Sequence, residues 1–179
     1  TVYWPTMLKA AGLPMPETIF AHGWWLVGRN KMSKSVGNVI DPMDFAERYG
    51  VDAFRYFLMA EMTLGQDAGF TEQAFVRRYN ADLANGLGNV LSRVMKMIAD
   101  FCNGKIPQPG SPGPDEKRLQ EVSLASVGSM VDSLENMRID IGLAGLISVL
   151  RETDRYLEKK QPWSLAKENQ NKQVGTVLY

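Results

Sequence analysis

The 179-residue chain is 45% hydrophobic and 22% charged, the proportions of a globular protein, with room for one domain or parts of two. Twenty basic residues balance twenty acidic ones, so net charge names no nucleic-acid or membrane partner, and any such partner must be held by local groups. One cysteine, Cys102, and one histidine, His22, exclude an internal disulfide framework and do not by themselves make a structural zinc site.

No apolar run reaches the eighteen or so residues of a membrane span, and Thr1-Val2-Tyr3-Trp4-Pro5 has no charged-then-apolar signal pattern. We expect no membrane partner and a reducing, cytoplasmic setting. Residues 1–5 lack an initiator Met and are apolar, and Val174 to Tyr179 stops within an apolar run. These ends read as those of an excised fragment.

Residues 3–11 are good helix formers after Pro5, and Gly12 stops them. Pro14 and Pro16 stiffen the connector that follows. Thr18 to His22 reads as a short buried strand and Trp24 to Val27 as a second extended stretch. Gly28-Arg29-Asn30 then turns the chain into Lys31-Met32-Ser33-Lys34-Ser35-Val36-Gly37-Asn38.

Lys31 and Lys34 stand three residues apart among small hydroxyl residues, a pattern suited to a cationic loop that closes on phosphate and releases it. Lysine meets phosphate as a point charge on a flexible stem, where arginine would make fixed bidentate contacts. Ser33 and Ser35 add hydroxyl donors, and Gly37 lets the backbone turn. A lone K-x-x-K also suits an ordinary solvated turn. His22 reads either as a satisfied sheet-end histidine or as part of a nucleotide site. In the second case Gly23 would give a flat base close access to the backbone, between walls formed by Trp24 and Trp25.

Asp41 and Pro42 mark a helix start, with Asp44 favourable to the helix dipole, and Gly50 ends that helix. A second helix covers 53–62. The glycine-bounded segment 64–70 reads as a bend and as a domain boundary.

From Thr71 to about Phe101 runs a long helical pattern. With Asn89 at 0° and about 100° per residue, Leu83, Leu87, Val90, Leu91, Val94 and Ile98 fall between roughly 100° and 200°, a stripe expected to be buried. Asp82, Asn85, Asn89 and Arg93 fall within about 40° of zero on the other side. Amide and guanidinium groups present the paired donors and acceptors that read base edges, and unstacked RNA bases expose those edges. The same face also reads as an ordinary polar surface.

Residues 103–114 form a Pro/Gly-rich loop. Helices follow over 115–135, carrying Leu119, Val122, Met130 and Leu134, and over 140–160, carrying Leu143, Leu146, Ile147, Leu150 and Leu157. With the 71–101 helix they imply an antiparallel bundle. Gln161-Pro162-Trp163 breaks the pattern before a short helix over 164–168. Trp163 reads either as a bundle plug or as a platform on which a base stacks.

Lys31 to Ser35 reads KMSKS, with His22-Gly23 upstream and Gly37 to Pro42 (GNVIDP) downstream. This resembles the second signature of class I aminoacyl-tRNA synthetases. YWPTMLKAAGLPMP near the start and RRYNADLANGLGNVLSR at Arg77 to Arg93 narrow the resemblance to the methionyl-tRNA synthetase family, and it extends over essentially the whole chain. The resemblance implies formation of methionyl-adenylate from methionine and ATP, accompanied by Mg2+, then esterification of the 3′-terminal adenosine of tRNA(Met).

By the same resemblance Lys34 is the principal ATP-phosphate lysine and Lys31 its companion, both catalytic. Ser33, His22, Gly23 and Trp25 belong with them to the ATP site. Asn89, Arg93 and Trp163 match the residues that recognise a CAU anticodon. The family's first signature, HIGH, is not among these residues, and no metal site is expected within them.

The expected fold is mainly α. Residues 1–40 would be the end of a Rossmann-type α/β catalytic domain, 41–70 a stem-contact connector, and 71–179 a truncated α-helical anticodon-binding bundle. Two readings without catalysis stand beside this one, a tRNA-binding helical module and a helical interaction domain whose KMSKS is a relic.

Overall fold

A computed structural model describes residues 2–28, 30–33, 35 and 37–179. It is mainly α-helical, with a small sheet in the first half. Helix α1 (Tyr3–Ala10) is followed by a long extended connector. Residues 18–22, expected to be a buried strand, are exposed and form no strand; Ile19 is 41% and Phe20 48% exposed. Strand β1 (Trp25–Val27) already has a neighbour on each edge, so the sheet offers this segment no partner beside β1. Antiparallel to β1 runs β2 (Asn30–Lys31), and parallel to it runs β3 (Ala68–Gly69). The bend expected over 64–70 thus contains a strand.

Helices α2 (Pro42–Tyr49) and α3 (Val51–Glu61) meet at Gly50, whose φ of 89° suits a residue without a Cβ. Asp41 caps α2 by accepting a 2.9 Å hydrogen bond from the Met43 amide. Thr71 caps α4 (Glu72–Arg78) in the same way from Ala74. These elements close over an aromatic core of Phe45, Phe54, Phe57, Phe70 and Phe75, all buried, with Trp25, Met32, Ile40 and Tyr49 against it. Phe45 meets Phe70 edge to face at 5.1 Å, and Phe57 meets Phe70 likewise at 5.4 Å. Such pairs add about 0.5–1.5 kcal/mol beyond area burial.

The pattern expected to be one α-helix from 71 to 101 is interrupted. Between α4 and α5 (Asn89–Phe101) lies a π-helix, Tyr79–Gly88. Its i→i+5 hydrogen bonding adds about one residue per turn, so each residue advances roughly 80° rather than 100°. The lag rotates this stretch against α5. Asp82, expected beside Asn89, turns inward and is buried. Leu87 and Leu91, expected in the buried stripe, are 48% and 57% exposed, and the lag does not account for them: Leu91 lies in α5 itself and Leu87 stays opposite Asn89. Gly86 and Gly88 suit this geometry. A Cβ on either would approach the carbonyl oxygen five residues back, Ala81 or Leu83, at 3.2 and 3.1 Å.

Helices α6 (Pro114–Glu135) and α7 (Ile139–Lys160) form an antiparallel hairpin, tightened where Gly142 passes Met130. α6 packs mainly on α7, so its far side stays open, and Val122 and Leu134 are exposed rather than core residues. Leu146 of α7 is likewise at the surface. Helices α8 (Pro162–Lys167) and α9 (Asn171–Leu178) complete a second core of Met97, Ile98, Leu157, Val174 and Leu178. The 103–114 loop is tied to α9 by the Gly110 amide, which donates to Thr176 Oγ1 at 2.9 Å. Among the described residues no helix is long and apolar enough to cross a membrane.

Candidate functional site

The first candidate cluster lies on the β1–β2 ribbon and the turns after it. Lys31 is in β2, paired with Leu26, so it starts from a strand rather than from within the loop. Its ammonium stands 3.2 Å from the centroid of the exposed Trp24 ring, a cation–π contact. Lys34 lies outside the described residues.

Around it the backbone is closely tied. Asn38 Oδ1 accepts from the Ser33 amide at 2.8 Å, Asn38 Nδ2 donates to the Lys31 carbonyl at 3.2 Å, and the Gly37 amide donates to the Ser33 carbonyl at 3.1 Å. Gly37, at φ 70°, takes the left-handed conformation expected of it. Ser33 and Ser35 hydroxyls lie 2.8 Å apart and bond one another. Met32 packs against the phenylalanine core. The loop is therefore pinned at one end by an apolar side chain and across its neck by an amide, while Lys31 and Ser35 are exposed and Ser33 is half-buried.

His22, Gly23 and Trp25 lie just before and on β1. His22 Nδ1 is 2.7 Å from the Gly23 carbonyl oxygen, so it carries the proton and donates. Gly23 is needed for a different close approach from the one expected: a Cβ there would fall 2.0 Å from the Gln66 carbonyl oxygen and 2.6 Å from the Asp67 nitrogen. The nearby backbone is the 66–67 turn, and Asp67 Oδ1 accepts from the Trp24 amide at 2.7 Å. Trp25 is half-buried, stacked at 6.0 Å on Phe57 and edge-on at 5.9 Å to Phe70. With His22, Leu58, Met59, Met62 and Leu64 it lines an apolar cavity of about 210 Å3.

The second cluster joins α5 to the α7–α8 junction. Arg93 and Trp163, seventy residues apart in sequence, come together with the guanidinium carbon 5.8 Å from the ring centroid. Gln161, at φ 47°, and the buried Pro162 make the sharp junction that fixes the tryptophan. Trp163 is half-buried against the Met97–Leu178 core. It is therefore a plug on one side and accessible on the other, and the two alternatives for it are compatible.

Arg93 is held from α7. Its Nη1 donates to Asp154 Oδ1 and its Nη2 to Glu158 Oε1, each at 2.5 Å. A guanidinium has five N–H groups, so donors remain for a base edge. Asn89 sits one turn before Arg93 and is exposed.

Asp82 does not join this face. Buried, it accepts from the Tyr56 hydroxyl at 2.9 Å and from Arg78 Nη1 at 3.2 Å, while Arg78 Nε donates to Glu61 at 2.7 Å. Burial, and then the bond to Asp82, push the Tyr56 hydroxyl up to about 12. Sequence reasoning assigned no tying role to Asn38 or Met32 and no clamp to Asp154 and Glu158. An Asn after the left-handed Gly37 was the one available signal for the loop tie. For the clamp, acidic residues four apart on α7 were a signal without a stated target.

Comparison with known proteins adds the lineage. Residues 1–95 match the family model described as tRNA synthetases class I (M). The chain is 44% identical over 181 residues to a methionine–tRNA ligase of Halalkalibacterium halodurans, covering 100% of this chain and 27% of that protein. It is also 44% identical over 178 residues to one of Brucella suis, covering 99% and 34%. Among solved structures it superposes on Mycobacterium tuberculosis methionyl-tRNA synthetase in complex with methionyl-adenylate, with a TM-score of 0.93 and 37% identity, over 99% of this chain and 36% of that one. The chain thus spans about a quarter to a third of the length of the relatives it matches. The match covers the KMSKS ribbon, the phenylalanine core and the helix carrying Asn89 and Arg93, and the chain belongs to the class I tRNA synthetases (M).

Proposed function

We propose that the chain supplies two working parts of a methionine–tRNA ligase: the lysine loop of the adenylate-forming site, and the helical surface that reads the CAU anticodon of tRNA(Met). Residues 1–40 belong to the catalytic side, 41–70 connect, and 71–179 carry the anticodon-reading helices. Such an enzyme would work in the cytoplasm on methionine, ATP and tRNA(Met). The observation that carries the reading is the convergence of Arg93 and Trp163, with Asn89 one turn away. Together they form a flat apolar face beside directed donors, the chemistry that captures an unstacked base.

In the activation step a methionine carboxylate oxygen attacks the α-phosphorus of ATP. The bond to the β-phosphate oxygen breaks, and pyrophosphate leaves with the added charge. A cation placed at that charge counts most in the transition state, and this is the role of Lys34, assisted by Lys31 once it leaves the Trp24 ring. Ser33 and the backbone tied by Asn38 orient the loop, and His22, Gly23 and Trp25 shape its approach to the nucleotide. In the second step the terminal adenosine hydroxyl attacks the acyl carbon and AMP leaves. Mg2+ would enter on the triphosphate. Among the described residues no group of three or more His, Cys, Asp and Glu side chains is arranged to hold an ion.

The sequence favours one variant of this reading. Its single histidine, His22, is not part of a HIGH signature, and in this second reading the 179 residues alone would act as a non-catalytic tRNA-binding module. Titration with a CAU anticodon hairpin should show binding that Trp163→Ala weakens by about 1–3 kcal/mol. Pyrophosphate exchange by the same chain should be absent. Hairpin binding that is indifferent to Trp163 would remove the anticodon reading.

A further inference from the structure

A second cationic site lies beside the Arg93–Trp163 pair, in the groove between the first turns of α6 and the last turns of α7. The groove encloses about 180 Å3, and its lining includes Arg118, Arg155 and Lys159 as well as Asp115, Glu152 and Tyr156. Three cations thus converge from two helices against two carboxylates. Arg155 pairs with Glu152 at 2.5 Å, and Lys159 with Asp115 at 2.6 Å. Arg118 makes no ion pair among the described residues.

The existing pairs are weak competitors for an incoming anion. The Arg155 and Lys159 side chains are 74% and 65% exposed, and pairs this exposed contribute about 0–1 kcal/mol. A phosphate, by contrast, would meet two guanidinium forks that match its geometry. The floor is completed by Leu119 and Val122, the lining has no Asn or Gln amide, and the hydroxyl of Tyr156 is already donated to Glu116 at 2.8 Å. Its chemistry suits a phosphodiester rather than a nucleobase.

Position supplies the rest of the argument. Asp154 and Glu158, which hold Arg93, immediately precede Arg155 and Lys159 on α7. The clamp and the groove therefore occupy adjoining faces of the same two helical turns, within about one helix diameter, 10–12 Å. An RNA strand with a base on Trp163 carries its neighbouring phosphates over that distance.

We propose that this groove binds a backbone phosphate of the RNA whose anticodon Arg93 and Trp163 read, giving sequence-independent affinity beside the sequence-specific contacts. The inference rests on the anticodon reading, and its test separates the two.

The probe is a fluorescein-labelled CAU hairpin, followed by anisotropy on the 179-residue chain from about 50 to 200 mM salt. The double variant Arg118→Gln/Arg155→Gln should bind about three- to tenfold more weakly at the low end. Its slope of log affinity against log salt should be shallower by about 0.7–0.9 for each phosphate that the groove no longer neutralises. The weakening should be equal for the CAU hairpin and one of altered anticodon. Glu152→Gln, which frees Arg155 without touching Arg93, should bind more tightly than the unaltered chain. An unchanged slope and affinity in the double variant, while Trp163→Ala still weakens binding, would overturn the groove and leave the anticodon reading intact. Failure of the unaltered chain to distinguish the two hairpins would overturn both.

Discussion

Replacing Asp82 with alanine separates the structure from the uninterrupted helix that periodicity suggests. Asp82 is 7% exposed and accepts hydrogen bonds from Tyr56 at 2.9 Å and Arg78 at 3.2 Å. Hydrogen bonds to a charged group are worth about 1.5–3 kcal/mol, and stranding a buried partner costs about 1–3 kcal/mol. Arg78 keeps Glu61, at 2.6 Å, so the group that loses its partner is the Tyr56 hydroxyl, which is part-buried at the edge of a pocket it lines with Asp82. Asp82→Ala should therefore destabilise the chain by about 2–3 kcal/mol, read as a lower midpoint in urea. Tyr56→Phe, which removes one bond and strands less, should cost less than half of that. The Tyr56 hydroxyl, held up at about 12 by burial and Asp82, should also titrate at lower pH in Asp82→Ala. A change within about 0.5 kcal/mol, the scale of an exposed substitution, would refute the inward turn of the π-helix.

Three further outcomes are expected. Gly23→Ala puts a Cβ 2.0 Å from a backbone oxygen, which cannot yield as a side-chain tip would. Overpacking of this kind costs about 1–3 kcal/mol, and denaturation of the variant should show the upper end with disturbed tryptophan emission. Glu116 is held down to about 2: burial opposes ionisation, but Lys160, Tyr156 and its own backbone amide outweigh it. Because the folded value lies below the ordinary value near 4.5, this contribution is complete above about pH 4.5. It is lost as pH falls towards 2, so acid unfolding of Glu116→Gln should be less steep across that window. In a complete ligase Lys34→Ala should slow adenylate formation by about 3–4 kcal/mol in activation with tRNA affinity retained, and near-normal pyrophosphate exchange would sink its assigned role.

Where the sequence was a reliable guide, the governing interactions were local. Asp41-Pro42, Gly50, Thr71 and the Pro162 break act through their own backbone, and each helix start or stop falls within a residue or two of its expected place. Most of the failures are non-local. Whether residues 18–22 pair depends on β3, which arrives some forty residues later. The exposure of Leu87, Leu91, Val122 and Leu134 depends on which helices cover them, and the π-helix shifts every face before Asn89 although its residues keep helical spacing. At the sites, motif residues were legible as types in a pattern. The Asn38 tie, the Met32 anchor and the Asp154–Glu158 clamp were not, because each depends on a partner brought up by the fold.

The central claim is that the α5 and α7–α8 surface reads an anticodon. It is tested most directly by the ratio of dissociation constants of the 179-residue chain for two hairpins that differ only in the anticodon, CAU against a triplet changed at its first base. Direct base contacts are worth about 1–3 kcal/mol of discrimination, so the ratio should be at least about fivefold in favour of CAU and should collapse in Arg93→Ala. Equal affinity for the two hairpins, or discrimination that survives Arg93→Ala unchanged, would contradict the account.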